Sequence, residues 1–169
     1  YSSNLGMSIN QPVYFVIDDA SDATLYEHFM SRRGFMQGLE YRSQTDLDSK
    51  AIFRLDWLQD NIVVDSEGDE DGPLSKDGLV RTNRRRYWLR GKLDASLGVV
   101  PGEATPGSPA PWRFKLDLDY VSDQNYLREF SSGFSGFDTS RSQLFDAFNR
   151  DLADSDQNRT SALLVSRSW

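Results

Sequence analysis

The sequence predicts an all-β antiparallel meander of about seven strands with one short helix near residues 140–152. Three observations carry that expectation. Apolar and polar residues alternate with period two along much of the chain, turn-forming residues separate the alternating runs, and from Ser122 to Gln157 the alternation gives way to a helical pattern.

The first strand is marked by Met7, Ile9, Val13, Phe15 and Ile17, and Asp18-Asp19-Ala20-Ser21-Asp22 supplies its turn. Ala23 to Met30 forms the second strand and Arg32-Arg33-Gly34 the next turn. In the third, Phe35, Leu39 and Tyr41 alternate with Gly38, Glu40 and Arg42 before a turn at Thr45 to Asp48. In the fourth, Ala51, Phe53, Leu55 and Trp57 alternate with Ile52, Arg54, Asp56 and Leu58.

An acidic connection around Asp65 to Gly72 then leads to the fifth strand, where Tyr87, Leu89, Gly91, Leu93, Ala95 and Leu97 oppose Trp88, Arg90, Lys92, Asp94 and Ser96. A Pro/Gly-rich stretch from Gly98 to Pro111 precedes the clearest strand of all. There Trp112, Phe114, Leu116, Leu118 and Tyr120 share one face, and Arg113, Lys115, Asp117 and Asp119 the other. Both long connections are expected to be exposed and mobile. Ser140 with Gln143 reads as a capping box opening a helix that presents Leu144, Phe145, Phe148 and Leu152 on one side. Arg159 to Trp169 is the last strand.

A net charge of −7 argues against nucleic acid as a partner, because such binding relies on a basic surface releasing counterions. The absence of cysteine removes disulfides and thiolate metal sites. The longest apolar runs, Val13 to Ile17 and Ala162 to Val165, fall far short of a membrane-spanning helix, so any passage through a bilayer would use strands. The chain starts at Tyr1 without an initiator Met or signal-like region, and residues 1–169 are read as a single interior segment of a longer protein.

The alternating charged face fits either the solvated side of a soluble sheet or the water-filled interior of a barrel whose apolar face meets lipid. Aromatic residues at strand ends, namely Tyr87, Trp112, Tyr120 and Trp169, favour the second by resembling an interfacial girdle. On that reading Arg90, Lys92, Asp94, Arg113, Lys115, Asp117 and Asp119 face the lumen. Pro12 cannot donate to a strand ladder and marks an edge, a bulge or a weak seam.

Catalytic readings are weaker. A Ser-His-Asp triad would depend on the one histidine, His28, and Gly133-Phe134-Ser135-Gly136 lacks the spacing of a nucleophile elbow. Asp117 and Asp119 share a face as ordinary strand charges do, and the acidic residues from Asp65 to Asp71 lack the ligand order of a calcium loop. Arg81, Arg84, Arg85 and Arg86 are expected to snorkel at the start of a strand rather than to grip phosphates. No enzyme activity, cofactor or metal is expected.

The blocks Gln11-Pro12-Val13-Tyr14-Phe15, Asp22-Ala23-Thr24-Leu25-Tyr26 and Met30-Ser31-Arg32-Arg33-Gly34 resemble the entry to the barrel in the LptD family of lipopolysaccharide-assembly proteins. Arg113 to Asp117, Asp119 to Asp123, Asn125 to Arg128, Arg159 to Ser161 and Ser166 to Trp169 resemble later blocks of the same family. The resemblance implies an outer-membrane β-barrel of a Gram-negative bacterium, of which this chain is a curved partial wall. It also implies lipopolysaccharide as cargo, outer-membrane lipid around the barrel, an LptE-like lipoprotein in the lumen, and an LptA-like periplasmic bridge docking through a domain absent from this chain.

Family members carry a proline in the first strand, matched by Pro12, so Pro12, Val13 and Glu27 are assigned to a lateral seam through which lipid leaves. Glu27 stands where a second proline is often found and would be unwelcome facing lipid. The alternatives are another outer-membrane barrel, such as a porin or receptor, and a soluble glycan-binding β-sandwich. If the first strand runs outward from the periplasm, parity places the long Ser122 to Gln157 connection on the periplasmic side, where turns are usually short. A strand hidden at Tyr126 to Phe130 would remove that conflict.

The acidic connection cannot bury enough apolar area to order itself. Deleting Asp65 to Gly72 in the full-length protein should therefore leave barrel assembly intact, as judged by heat-dependent gel mobility. Failure to assemble would show that the stretch is a structural element.

Overall fold

The computed structural model describes residues 5–46, 48–62, 81, 83–98 and 110–167. Seven strands form one open sheet: β1 (Ser8–Asp18), β2 (Ser21–Met30), β3 (Gly34–Gln44), β4 (Lys50–Asp60), β5 (Arg85–Leu97), β6 (Trp112–Val121) and β7 (Ala162–Arg167). Their spatial order is their chain order, and each neighbouring pair is antiparallel. The meander is thus the arrangement that period-two alternation and short turns dictate. The acidic connection and most of the Gly98 to Pro111 stretch lie outside the described residues.

The turns use local side-chain chemistry. Asp18 Oδ1 accepts from the Ala20 N–H at 2.8 Å, closing the β1–β2 hairpin beside a register shift between Val16 and Asp18. Asp46 Oδ1 does the same for the Asp48 N–H at 2.7 Å.

Between β6 and β7 the chain forms two helices where one was expected, α1 (Gln124–Glu129) and α2 (Phe137–Phe148). No strand lies at Tyr126 to Phe130, because the Asp123 carboxylate accepts from the Tyr126 N–H and caps α1 there. Nor does Ser140 open the second helix. The N-cap of α2 is Gly136, and Ser140 lies one turn in, donating to the Gly136 carbonyl at 3.0 Å. The helix stops at Asn149, which adopts the left-handed conformation at φ 52°.

Both helices lie on one face of the sheet. Met30, Met36, Leu58 and Trp88 from the strands pack against Tyr126, Leu127, Phe130, Phe137, Leu144 and Leu152 from the β6–β7 connection, with Trp88 and Phe137 stacked at 5.8 Å. Phe148 joins this cluster from its margin, whereas Phe145, expected on the same side, is half exposed. The long connection therefore folds back over the sheet instead of projecting beyond its end, which accounts for its length without an extra strand.

Gly91 marks the tightest approach within the sheet. A Cβ there would lie 2.4 Å from both the Ile52 carbonyl oxygen and Phe53 Cδ1. Gly91→Ala should destabilise the full-length protein by about 1–3 kcal/mol through overpacking. An unchanged urea midpoint would show that β4 and β5 have room to part.

Candidate functional site

The two faces of the sheet differ in chemistry. On the helix-bearing face, alternate residues of β2 to β6 include many charged and aromatic side chains, and most of those on β3 to β5 beneath the helices are buried. At one end Arg33 donates to both Asp60 oxygens at 3.0 and 2.5 Å and to Glu129 at 2.6 Å. Arg86 reaches Asp60 at 3.2 Å, Glu129 at 2.9 Å and Asp123 at 2.8 Å, while Arg81 donates to Glu129 at 2.9 Å. Two residues of this arginine group are thus anchors within the fold, against the expectation of snorkelling: Arg81 and Arg86 are buried, and only Arg84 and Arg85 are exposed. Burial by itself would raise the Asp123 carboxyl, but hydrogen bonds and charge from Arg86, with the Ser122 hydroxyl and Tyr126 N–H, hold it below the ordinary aspartate value.

A second cluster occupies the middle of the sheet. Arg54 Nε lies 2.9 Å from Glu40, and its two terminal nitrogens donate to Gln143 and the Phe134 carbonyl, both at 2.9 Å. Arg90 pairs with Asp56 and donates twice to the Ser140 hydroxyl, at 3.0 and 2.8 Å. Ser140 is thus a buried acceptor for a strand arginine, a role that its place in an apparent capping box concealed.

The predicted lumen set lies on this face by register. Arg90 opposes Asp119, Lys92 opposes Asp117, Asp94 opposes Lys115, and Arg113 opposes Ser96. Asp119 accepts from Trp88 Nε1 at 2.9 Å and Arg159 at 2.5 Å, and Asp117 from Arg150 at 2.8 Å. Lys115 sits 3.5 Å from Asp94, and Arg113 is exposed. His28 opposes Asn10 and Met36. The sequence missed Arg33, Asp60 and Glu129, which meet across 27 and 96 residues.

Of the seam set, Pro12 opposes Tyr26 on β2 and shares its face, while Val13 and Glu27 lie on the bare face. Every residue of β1 is exposed. Met7 O accepts from the Ser31 N–H, so alternation along the unbroken register turns the backbone groups of Ile9, Gln11, Val13 and Phe15 toward β2. Those of Ser8, Asn10, Pro12, Tyr14 and Val16 turn to the open edge. Pro12 therefore lacks its N–H on the side where no described strand pairs.

The bare face is apolar. Leu39 is 47% exposed, Leu55 41% and Trp57 40%, values foreign to a sheet interior. Its apolar band slopes across the strands. In register rows, the lower margin runs level through Ile9, Phe29 and Phe35, then climbs one row at Trp57 and Tyr87, two at Tyr120 and four at Leu163. Four rows are roughly 26 Å along the strands and six strand steps roughly 29 Å across them, an end-to-end slope of about 40° with most of the climb beyond β5. Gln11, Glu27 and Gln37 form one polar row inside the band, with Gln37 Nε2 3.4 Å from Glu27 Oε1.

A family model described as LPS transport system D (LptD) matches residues 106–166. Proteins named LPS-assembly protein LptD align over most of the chain. That of Alkalilimnicola ehrlichii is 32% identical across 85% of this chain and 15% of its own length. That of Idiomarina loihiensis is 30% identical across 80% and 14%, and that of Sodalis glossinidius 29% across 79% and 14%.

By sequence the chain belongs to the LptD family.

It spans about one-seventh of the length of these LptD relatives. The family-model match takes in β6, both helices and β7, so the layer that roofs the sheet belongs to the LptD pattern itself.

Removing one partner from a buried ionic cluster leaves the others uncompensated. Asp60→Ala should cost about 3–5 kcal/mol in urea unfolding. Arg141→Ala, which breaks a solvent-exposed pair with Asp151, should leave the urea midpoint essentially unchanged. Equal losses would show that the Asp60 cluster is open to water.

Proposed function

We propose that this chain is the N-terminal wall of an outer-membrane β-barrel in a Gram-negative bacterium, and that the barrel inserts lipopolysaccharide into the outer leaflet through a lateral seam. The sloping apolar band carries the reading. Strands of a transmembrane barrel tilt by roughly 35–45°, so a level slab of hydrocarbon must cross their hydrogen-bonded rows at that angle. A soluble sheet has no reason to arrange its apolar residues along such a line. Trp57, Tyr87 and Tyr120 on the margin suit the interface, where an aromatic ring meets both lipid and headgroup.

With lipid outside, the helix-bearing face becomes the luminal lining. Arg90, Lys92, Asp94, Arg113, Lys115, Asp117 and Asp119 would then be shielded from hydrocarbon, the sorting that the cost of a charge in a bilayer demands. The work is transport without bond chemistry. LptE-like lipoprotein in the lumen and an LptA-like bridge on the periplasmic side are the proposed partners, the bridge through a domain outside this chain.

Pro12 supports a seam at β1. Its missing N–H faces the open edge, so a strand closing the barrel there would lack one bond, which lowers the cost of parting by about 0.5–1.5 kcal/mol. Val13 would stand beside the opening on the lipid side.

Spin labels at neighbouring β6 positions test the sidedness. In the full-length protein in bilayers, a label at Leu116 should be relaxed by oxygen and one at Lys115 by a water-soluble nickel chelate. Equal aqueous accessibility at both would overturn the barrel reading.

A further inference from the structure

The open edge of β1 is blocked at residue 12 by two devices. The proline ring removes the donor, and Gln11 Nε2 donates to the Pro12 carbonyl at 3.1 Å, occupying the acceptor. The Gln11 side chain rises from the bare face beside Glu27, while the Pro12 carbonyl points in the plane of the sheet toward the free edge.

We infer that Gln11 is a positioning residue of the seam: by capping the Pro12 carbonyl with its own amide, it deletes the second of the two hydrogen bonds that a closing strand would make there. The inference rests on the seam reading above. The donor-acceptor pairs of Asn10 and Tyr14 remain available, so the gap between them spans roughly 13 Å of edge. A proline alone would leave half of the middle pair intact.

Lipid strengthens the cap. Gln11 lies within the apolar band, between Ile9 and Val13, where an amide finds no water and must be satisfied by protein. Across the pair it meets Glu27, whose Oε1 is approached by Gln37 and whose Oε2 has no partner among the described residues, yet the amide turns to the Pro12 carbonyl instead. The unpaired Pro12 carbonyl is the acceptor adjoining it in the chain. A glutamine facing lipid beside an open edge is thereby held to the edge, and the same placement that makes it costly in hydrocarbon makes it a stopper.

The test uses full-length protein with a photo-crosslinking residue at Val13, and reads the rate at which lipopolysaccharide adduct forms there during release. Gln11→Leu frees the Pro12 carbonyl and should slow that rate roughly 2- to 12-fold, the worth of one net backbone bond. Gln11→Asn, which keeps the amide but is too short to reach, should slow it equally. Gln37→Leu, in the same row but two strands from the edge, should leave it unchanged.

Heat-dependent gel mobility confirms that each variant is assembled. If Gln11→Asn releases at the wild-type rate, or Gln37→Leu slows release as much as Gln11→Leu, the polarity of the row is what matters and the cap is refuted. Pro12→Ala separates the two levels. Slower release in Pro12→Ala with no change in either Gln11 variant removes the role of Gln11 alone, whereas no change in any of the three removes the seam as well.

Discussion

The fold depends on a buried ionic layer between the sheet and the connection that covers it. Asp60 receives two arginines and Glu129 three, and these arginines come from the β2–β3 turn, from β5 and from the segment preceding β5. Burying so many charges is expensive, and an apolar substitute of the same shape would often be as stable. What the charges add is uniqueness of placement. Leucines could slide past one another, whereas a carboxylate shared by two guanidinium groups has one position that satisfies all three.

That layer divides the sheet. Strands β2 to β6 are held from the side by the β6–β7 connection, through Tyr26 against Phe134 at one margin and Asp119 with Arg159 at the other. Strand β1 lies beyond it and, among the described strands, pairs with β2 alone. A wall that is braced over most of its width and unbraced at its first strand can move there without repacking an interior. The edge chemistry at Gln11 and Pro12 is found on a strand that the brace does not reach.

Much of the fold was legible because a strand writes its two faces into adjacent residues. Trp112 to Tyr120 can be sorted by eye, and the register pairs Arg90, Lys92 and Asp94 with the oppositely charged residues of β6. The helical connection was less legible. Ser140 and Gln143 have the spacing of a capping box, yet both serve arginines of the sheet, and the residue that starts the helix is Gly136. Arg86 is the clearest failure. A charged residue at a strand start reads as solvated unless its partners are known, and those partners are Asp60, Asp123 and Glu129, 26 to 43 positions away. Its parity with Trp88 and Arg90 was the available signal.

The separation of 96 residues between Arg33 and Glu129 also sets an order of events. Local hairpins such as β1–β2 and β2–β3 can close as soon as they exist, but the brace cannot form until the chain has passed α1. Until then several paired strands carry an apolar face, an unroofed charged face and an open edge. Such an intermediate invites pairing with other chains. Folding must therefore keep these early hairpins apart from one another for the time that it takes the later residues to arrive.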